Sequence, residues 1–259
     1  MKDMKILKNL FSVIKKQGWI ESKRKGSTGV GYTFEKLIGK EEDNSYKPDF
    51  GKIEIKTMRV CSKQKIHLFC LNPDGDCKYP IKQLCEKLGY ISKYKKNTIF
   101  FKTEAISTDY TMLGYYTKMQ LIVDRVLKRV VFKVTKNNKI VNLNIYWTFD
   151  SLKERINAKL SYLALIMAKN KYTKGKEYFL YYSIEFYKLK SFNSFLDMLE
   201  RGKIKICFNV EATLENNKIA KINDRGTCFL IDEKDLTELY NVLEWHFVWD
   251  KKKSQKLRL

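Results

Sequence analysis

Acidic residues are what this chain is short of: 29 Asp and Glu stand against 51 Lys and Arg, a formal net charge of +22. A field this one-sided attracts polyanions, and inside a cell the commonest polyanion is nucleic acid. A lysine-heavy genome bias accounts for part of the excess, and 16 tyrosines fit it, but such a bias would raise Glu alongside Lys. Histidine is nearly absent. His67 and His246 are the only two, and neither supports a Ser-His-Asp or Cys-His arrangement. His67 lies in an apolar stretch and is expected in the core. No apolar run is long enough for a membrane span, which excludes a transmembrane helix. The N-terminus lacks the unbroken apolar stretch and small-residue cleavage site of a signal peptide, so a cytoplasmic chain is expected. Proline occurs three times, and no segment is repeated or of low complexity. Six cysteines include no C-x-x-C pair. The set His67, Cys70, Cys77 and Cys85 has spacings of three, seven and eight, unlike the tight pairs of structural zinc, so reduced buried thiols are the expectation.

What is present suffices for a sizeable core: 259 residues, 44% of them apolar. Ile6, Leu7, Leu10, Phe11 and Ile14 recur at helical spacing. Gly26, Gly29 and Gly31 predict a flexible turn, followed by a helix over 32–40 that breaks near Gly39. Strands are expected at 51–60, 65–71, 97–106, 119–135 (with helix an alternative over 119–128), 139–149, 176–189, 202–214 and 228–233, and helices at 80–90 and 191–201. A long amphipathic helix is predicted from Asp150 or Ser151, either a plausible N-cap, to about 170. A last helix is predicted near 233–244. A shift in composition near 147 suggests a lobe over 1–147 and another over 148–259. The fold class is α/β (α+β).

"KPDFGKIEIKT" (47–57) carries the chemistry. Alternation along the strand puts Ile53 and Ile55 on one face and Glu54 with Lys56 on the other. Folded as a β-hairpin, Asp49, Glu54 and Lys56 can converge. Two carboxylates there suit a hard divalent cation, Mg²⁺ above all, because it keeps waters and accepts phosphate oxygens. Such a site hydrolyses phosphodiesters, with Lys56 orienting water or facing the charge that develops. The competing reading is a surface hairpin with a solvated Glu–Lys pair. Further upstream, Lys23, Arg24, Lys25, Ser27 and Thr28 surround Gly26, a composition that lets backbone N–H groups approach phosphates. The Gly-Lys-Ser/Thr ending of a nucleotide-binding loop is missing, so no nucleotide cofactor is expected.

Residues 18–57, with "KRKG", "TG-G-TFE", "KEEDN" and "PDF…IEIKT", resemble the catalytic segment of the MvaI/BcnI family of Type II restriction endonucleases. That family belongs to the MutH/Sau3AI-like branch of the P-D-x-(D/E)-x-K superfamily. A weaker likeness continues through "YWTFDSL" and from "GKIKI" to "RGTCFLI", with about 75–140 poorly matched. The resemblance implies a mixed sheet flanked by helices, and two lobes, one cutting and one reading, that form a DNA-binding cleft. It implies Asp49 and Glu54 as metal ligands, Lys56 as the catalytic lysine and Glu35 as a supporting carboxylate. It also implies double-stranded DNA as partner, 5′-phosphate ends, a monomer that nicks each strand in turn, and a cognate DNA methyltransferase in the host. In the reading lobe, Asn209, Asn223, Asp224 and Arg225 are the candidate base readers, since Arg suits guanine, Asn adenine and Asp cytosine. The family's histidines before the Gly-Thr are replaced here by "NDRGT", and the position of Cys207 also differs. A MutH-like nicking enzyme would share the chemistry, and a non-catalytic DNA-binding protein would share the charge.

Overall fold

The computed structural model describes residues 1–42, 46–60, 62–75, 80–224 and 226–247, the last three by backbone alone. The chain is mixed α/β. It forms two units, one comprising Met1–Gln64, Ala158–Leu189 and the chain from Tyr240, the other Lys65–Asn157 and Lys190–Leu239. The first stretch holds α1 (Lys2–Lys16), β1 (Ile20–Glu21), α2 (Gly29–Leu37) and β2 (Ile53–Arg59). The second unit then begins with β3 (Ile66–Cys70), α3 (Pro80–Leu88), β4 (Tyr90–Ile91) and β5 (Thr98–Ala105). It continues through β6 (Thr111–Leu113), β7 (Thr117–Asp124), β8 (Arg129–Lys136), β9 (Lys139–Val141), β10 (Tyr146–Thr148) and α4 (Phe149–Lys159). The chain returns to the first unit with β11 (Tyr162–Thr173) and β12 (Lys176–Leu189). It goes back to the second for α5 (Phe192–Glu200), β13 (Ile204–Glu215), β14 (Lys218–Asp224), β15 (Cys228–Ile231) and α6 (Leu236–Leu239). It ends its described course with β16 (Tyr240–Phe247). The units are therefore interleaved, whereas a division at 147 would have made them sequential.

The first unit is built on one sheet of order β1-β12-β11-β2, with β16 also pairing with β12. β11 and β12 form an antiparallel hairpin turned at Lys174 and Gly175, both at positive φ, while β2 runs parallel to β11. A parallel pair needs a crossover, and here Lys65–Asn157 lie within it. α1 buries Leu7, Phe11 and Ile14, and α2 buries Val30 and Phe34, against Ile53, Ile55, Ala164, Ile166, Phe179 and Tyr181 of the sheet. Asp3 in the first turn of α1 and Lys15 and Lys16 in its last complement the helix dipole.

The second unit has two sheets, β3-β15-β13-β5-β4 with β14 hairpinned onto β13, and β10-β8-β7-β6 with β9 on β8. Its core is aromatic: Phe69 stacks on Phe229 at 4.5 Å and Phe132 meets Phe208 at 4.8 Å. Trp147 is fully buried and its indole N–H donates to the Leu71 carbonyl at 3.0 Å.

Four expectations give way, the first being the single strand over 119–135, which is the antiparallel pair β7 and β8. The helix predicted to 170 ends at Lys159, and Leu163–Ala168 is a strand buried on both faces between β2 and β12. Such a central strand shows no alternation and reads like helix. The cap of that helix is Thr148, whose Oγ1 accepts from Ser151 N at 3.2 Å and whose hydroxyl donates to Asp74 at 2.8 Å. The predicted last helix shrinks to α6, and Tyr240 onward extends the first sheet.

Candidate active site

β2 lies at the edge of its sheet, and that placement creates the site. Phe50 and Ile53 exchange backbone hydrogen bonds at 2.9 and 2.8 Å around Gly51 and Lys52. Gly51 has φ +58, and the turn rests on α1, where the Asp3 carboxylate accepts from Lys52 N at 3.2 Å. The expected β-hairpin is thus reduced to a single bridge, Phe50↔Ile53, and the ladder partner of β2 is β11. The tight turn swings Asp49 back along the free edge. Its Oδ2 accepts from Ile55 N at 3.0 Å, satisfying an N–H that an edge strand would otherwise leave to water.

Glu54 and Lys56, two residues apart, share the face opposite Ile53 and Ile55, and Lys56 Nζ donates to Glu54 Oε1 at 2.7 Å. The solvated-pair reading fails here, because Glu54 is only 1% exposed. Lys159, the last residue of α4, also approaches Glu54 Oε1, at 3.4 Å. Oε2 is buried and accepts no hydrogen bond. Burial holds the Glu54 carboxyl above the ordinary carboxylate range, against the pull of Lys56; Asp49 adds to the rise and Lys159 opposes it. Lys40 Nζ stands 3.6 Å from Asp49 Oδ1. Glu35, half-buried on α2, is also raised, first by burial and then by the Asp49 charge, with Lys40 opposing. Three carboxylates and three lysines thus act on one another at this edge.

The donor set fits a hard divalent cation. Asp49 and Glu54 offer oxygen ligands, and an orphaned buried carboxylate oxygen is costly by about 1–3 kcal/mol unless something takes it up. Lys40 and Lys159 were not among the expected site residues. Neither carries a local signal, since one follows the Gly39 break and the other falls inside the helix predicted to about 170.

The basic loop is more structured than a flexible turn. Gly26 has φ +88, but Gly29 opens α2 and Gly31 lies within it. A Cβ on Gly31 would stand 3.1 Å from Thr57 Oγ1, so this glycine sets how closely α2 approaches β2. Arg59, also unforeseen, donates to the Ser27 and Gly26 carbonyls at 2.7 and 2.9 Å and pairs with Glu177 at 2.9 Å. Lys23, Lys25, Ser27 and Thr28 are exposed. Arg24 differs: it grips Glu42 at 2.9 and 2.6 Å and lies 3.7 Å over the Tyr32 ring.

In the second unit, Asn209 on β13 is half-buried beside Lys102 of β5, and Asn223 on β14 is exposed opposite Glu211. The Asp224 carboxylate accepts from Gly226 N at 2.8 Å, and its carboxyl is raised by burial. Arg225 lies outside the described residues. Asn216 and Asn217, both at positive φ, make the β13–β14 turn. His67 is exposed rather than in the core, because the register shifts between Phe229 and Leu230 of its partner strand β15.

The MvaI/BcnI restriction endonuclease family matches the chain over residues 8–240. No curated protein sequence matches it. Among solved structures, a complex of the restriction endonuclease MvaI with its cognate DNA substrate is 30% identical, with a TM-score of 0.84 over 94% of this chain and 98% of that one. MvaI in the absence of DNA is also 30% identical, with a TM-score of 0.60 over 94% of this chain and 97% of that one.

Proposed function

This chain belongs to the MvaI/BcnI restriction endonuclease family and is a type II site-specific endonuclease, and from that premise we propose that it hydrolyses double-stranded DNA with Mg²⁺ at the Asp49–Glu54–Lys56 edge. One observation carries the assignment: Glu54 is buried beside Asp49 with Oε2 unsatisfied. Asp49 and Glu54 would hold the cation. When bound, Mg²⁺ supplies a Lewis acid for the phosphate and makes water a better nucleophile.

The remaining chemistry falls to the protein. Lys56, fixed on the face of Glu54, orients the attacking water and faces the charge that builds on the phosphate oxygens. Lys159, on the same Glu54 oxygen, compensates the carboxylate. Glu35, raised by burial, takes up a proton in this reading. Water oxygen bonds to phosphorus as the bond to the 3′-oxygen breaks, and that oxygen takes a proton from solvent water, leaving 5′-phosphate and 3′-hydroxyl ends. Lys23, Lys25, Ser27 and Thr28 contact the DNA backbone, with Arg59 holding their loop. Asn209, Asn223, Asp224 and Arg225 read bases. The enzyme acts as a monomer, nicking one strand and then the other, in a cytoplasm where a cognate methyltransferase protects host sites.

Asp49→Ala and Lys56→Ala each lower cleavage by about 10²–10³-fold while specific DNA binding persists, measured by plasmid digestion and by gel shift with Ca²⁺ in place of Mg²⁺. Undiminished cutting by either variant, or cutting unaffected by a chelator, overturns the assignment.

A further inference from the structure

Away from the carboxylates, a corner of the second unit gathers softer donors. His67 and Cys70 come from β3 and Cys228 from β15, and one donor atom of each lies within 4.8 Å of the others. The Cys70 and Cys228 sulphurs are 2.8 Å apart, and His67 Nε2 is 4.0 Å from Cys70 Sγ. Register explains the gathering. Cys70 and Cys228 are cross-strand partners, so their side chains share a face. Residues three apart on a regular strand point to opposite faces, but the register shift between Phe229 and Leu230 places His67 opposite Leu230 and changes that parity. Cys207 on β13 continues the row as the partner of Cys228.

The turn before β15 comes close over the sulphurs because it carries no side chain at Gly226. Gly226 has φ +94, and a Cβ there would stand 2.9 Å from Cys70 Sγ and 3.5 Å from Cys228 Sγ. Asp224, held by Gly226 N, adds a negative charge acting on Cys70.

We propose that His67, Cys70 and Cys228 bind one thiophilic divalent cation, Zn²⁺, at a site separate from the carboxylate edge. Two thiolates and an imidazole suit zinc and do not suit magnesium, which takes oxygen ligands. With Zn–S near 2.3 Å and tetrahedral angles, the sulphurs part by about 1 Å, and the exposed side leaves a fourth position to water. Binding releases the thiol protons to solvent. The cation ties β3 to the turn and strand that follow Asp224. Spacing could not reveal the site, because Cys228 stands 158 residues from Cys70. The proposal does not depend on the nuclease reading.

The full chain, purified under reducing conditions and loaded with Zn²⁺, is desalted into excess Mg²⁺, and its metal content is measured. The expected result is one equivalent of zinc. Co²⁺ substitution then gives a thiolate-to-cobalt charge-transfer band, which an all-oxygen site does not produce. Cys70→Ser, Cys228→Ser and His67→Asn lose the retained zinc, whereas Asp49→Ala and Cys85→Ser keep it. Zinc also shields two thiols from a thiol reagent in the unmodified chain, a readout that needs no variant to fold. Absence of retained zinc and of the cobalt band overturns the proposal, as does retention by the Cys70→Ser/Cys228→Ser double variant. So does a Cys70–Cys228 disulfide that forms in place of metal binding.

Discussion

At Glu54 two ammonium groups crowd one carboxylate oxygen while the other accepts nothing. Burial keeps this carboxyl above its ordinary range. A carboxyl raised on folding binds its proton more readily folded than unfolded. Its stabilising contribution is therefore full below the ordinary carboxylate value and is lost as pH rises through the folded value. Without divalent cations, Glu54→Gln therefore unfolds at a higher urea concentration than the unaltered chain at neutral pH, and the difference narrows as pH falls toward the ordinary carboxylate range. Mg²⁺ raises the midpoint of the unaltered chain and not that of the variant. Equal Mg²⁺ stabilisation of both would show that Glu54 is no ligand. Asp49, Glu54 and Lys56 were legible because a tight turn and a two-residue period bring them together over eight positions of sequence. Lys159 was not, because only the pairing of β11 with β2 carries the end of α4 to Glu54.

At the scale of the element, glycines in α2 trade helix propensity for proximity. A Cβ on Gly29 would meet the Arg24 carbonyl oxygen at 2.4 Å and Ser22 Oγ at 2.8 Å. Gly29→Ala is expected to destabilise the chain by about 1–3 kcal/mol in urea unfolding, despite the roughly 1 kcal/mol that alanine contributes in a helix. A stabilised variant would show that the loop yields. The sequence places these glycines in a turn since nothing local distinguishes a permissive φ from a close approach. The reading succeeds for α1, whose buried Leu7, Phe11 and Ile14 keep helical spacing. It fails at Leu163–Ala168, where burial on both faces erases the period that separates strand from helix.

For the molecule as a whole, the charge of +22 makes DNA affinity a matter of salt. Lys23 and Lys25 are exposed, whereas Arg24 is held by Glu42 and Tyr32. The Lys23→Ala/Lys25→Ala double variant should therefore flatten the slope of log affinity against log salt by about 2, and weaken specific and random DNA alike. An unchanged slope would remove the loop from the DNA-contacting surface. No helix among the described residues is long and apolar enough to cross a membrane. The composition shift near 147 could not disclose the interleaving of units, which is a property of strand pairing and leaves no mark on local composition.

That interleaving sets the order in which the pieces of the site become available along the chain. Asp49, Glu54 and Lys56 are translated early, yet β2 waits for β11 across the whole of Lys65–Asn157. Tyr240, buried and near enough to sense the charge of Glu54, arrives later still. A chain synthesised only as far as Asn157 carries the carboxylates and the lysine without the strand that pairs with β2.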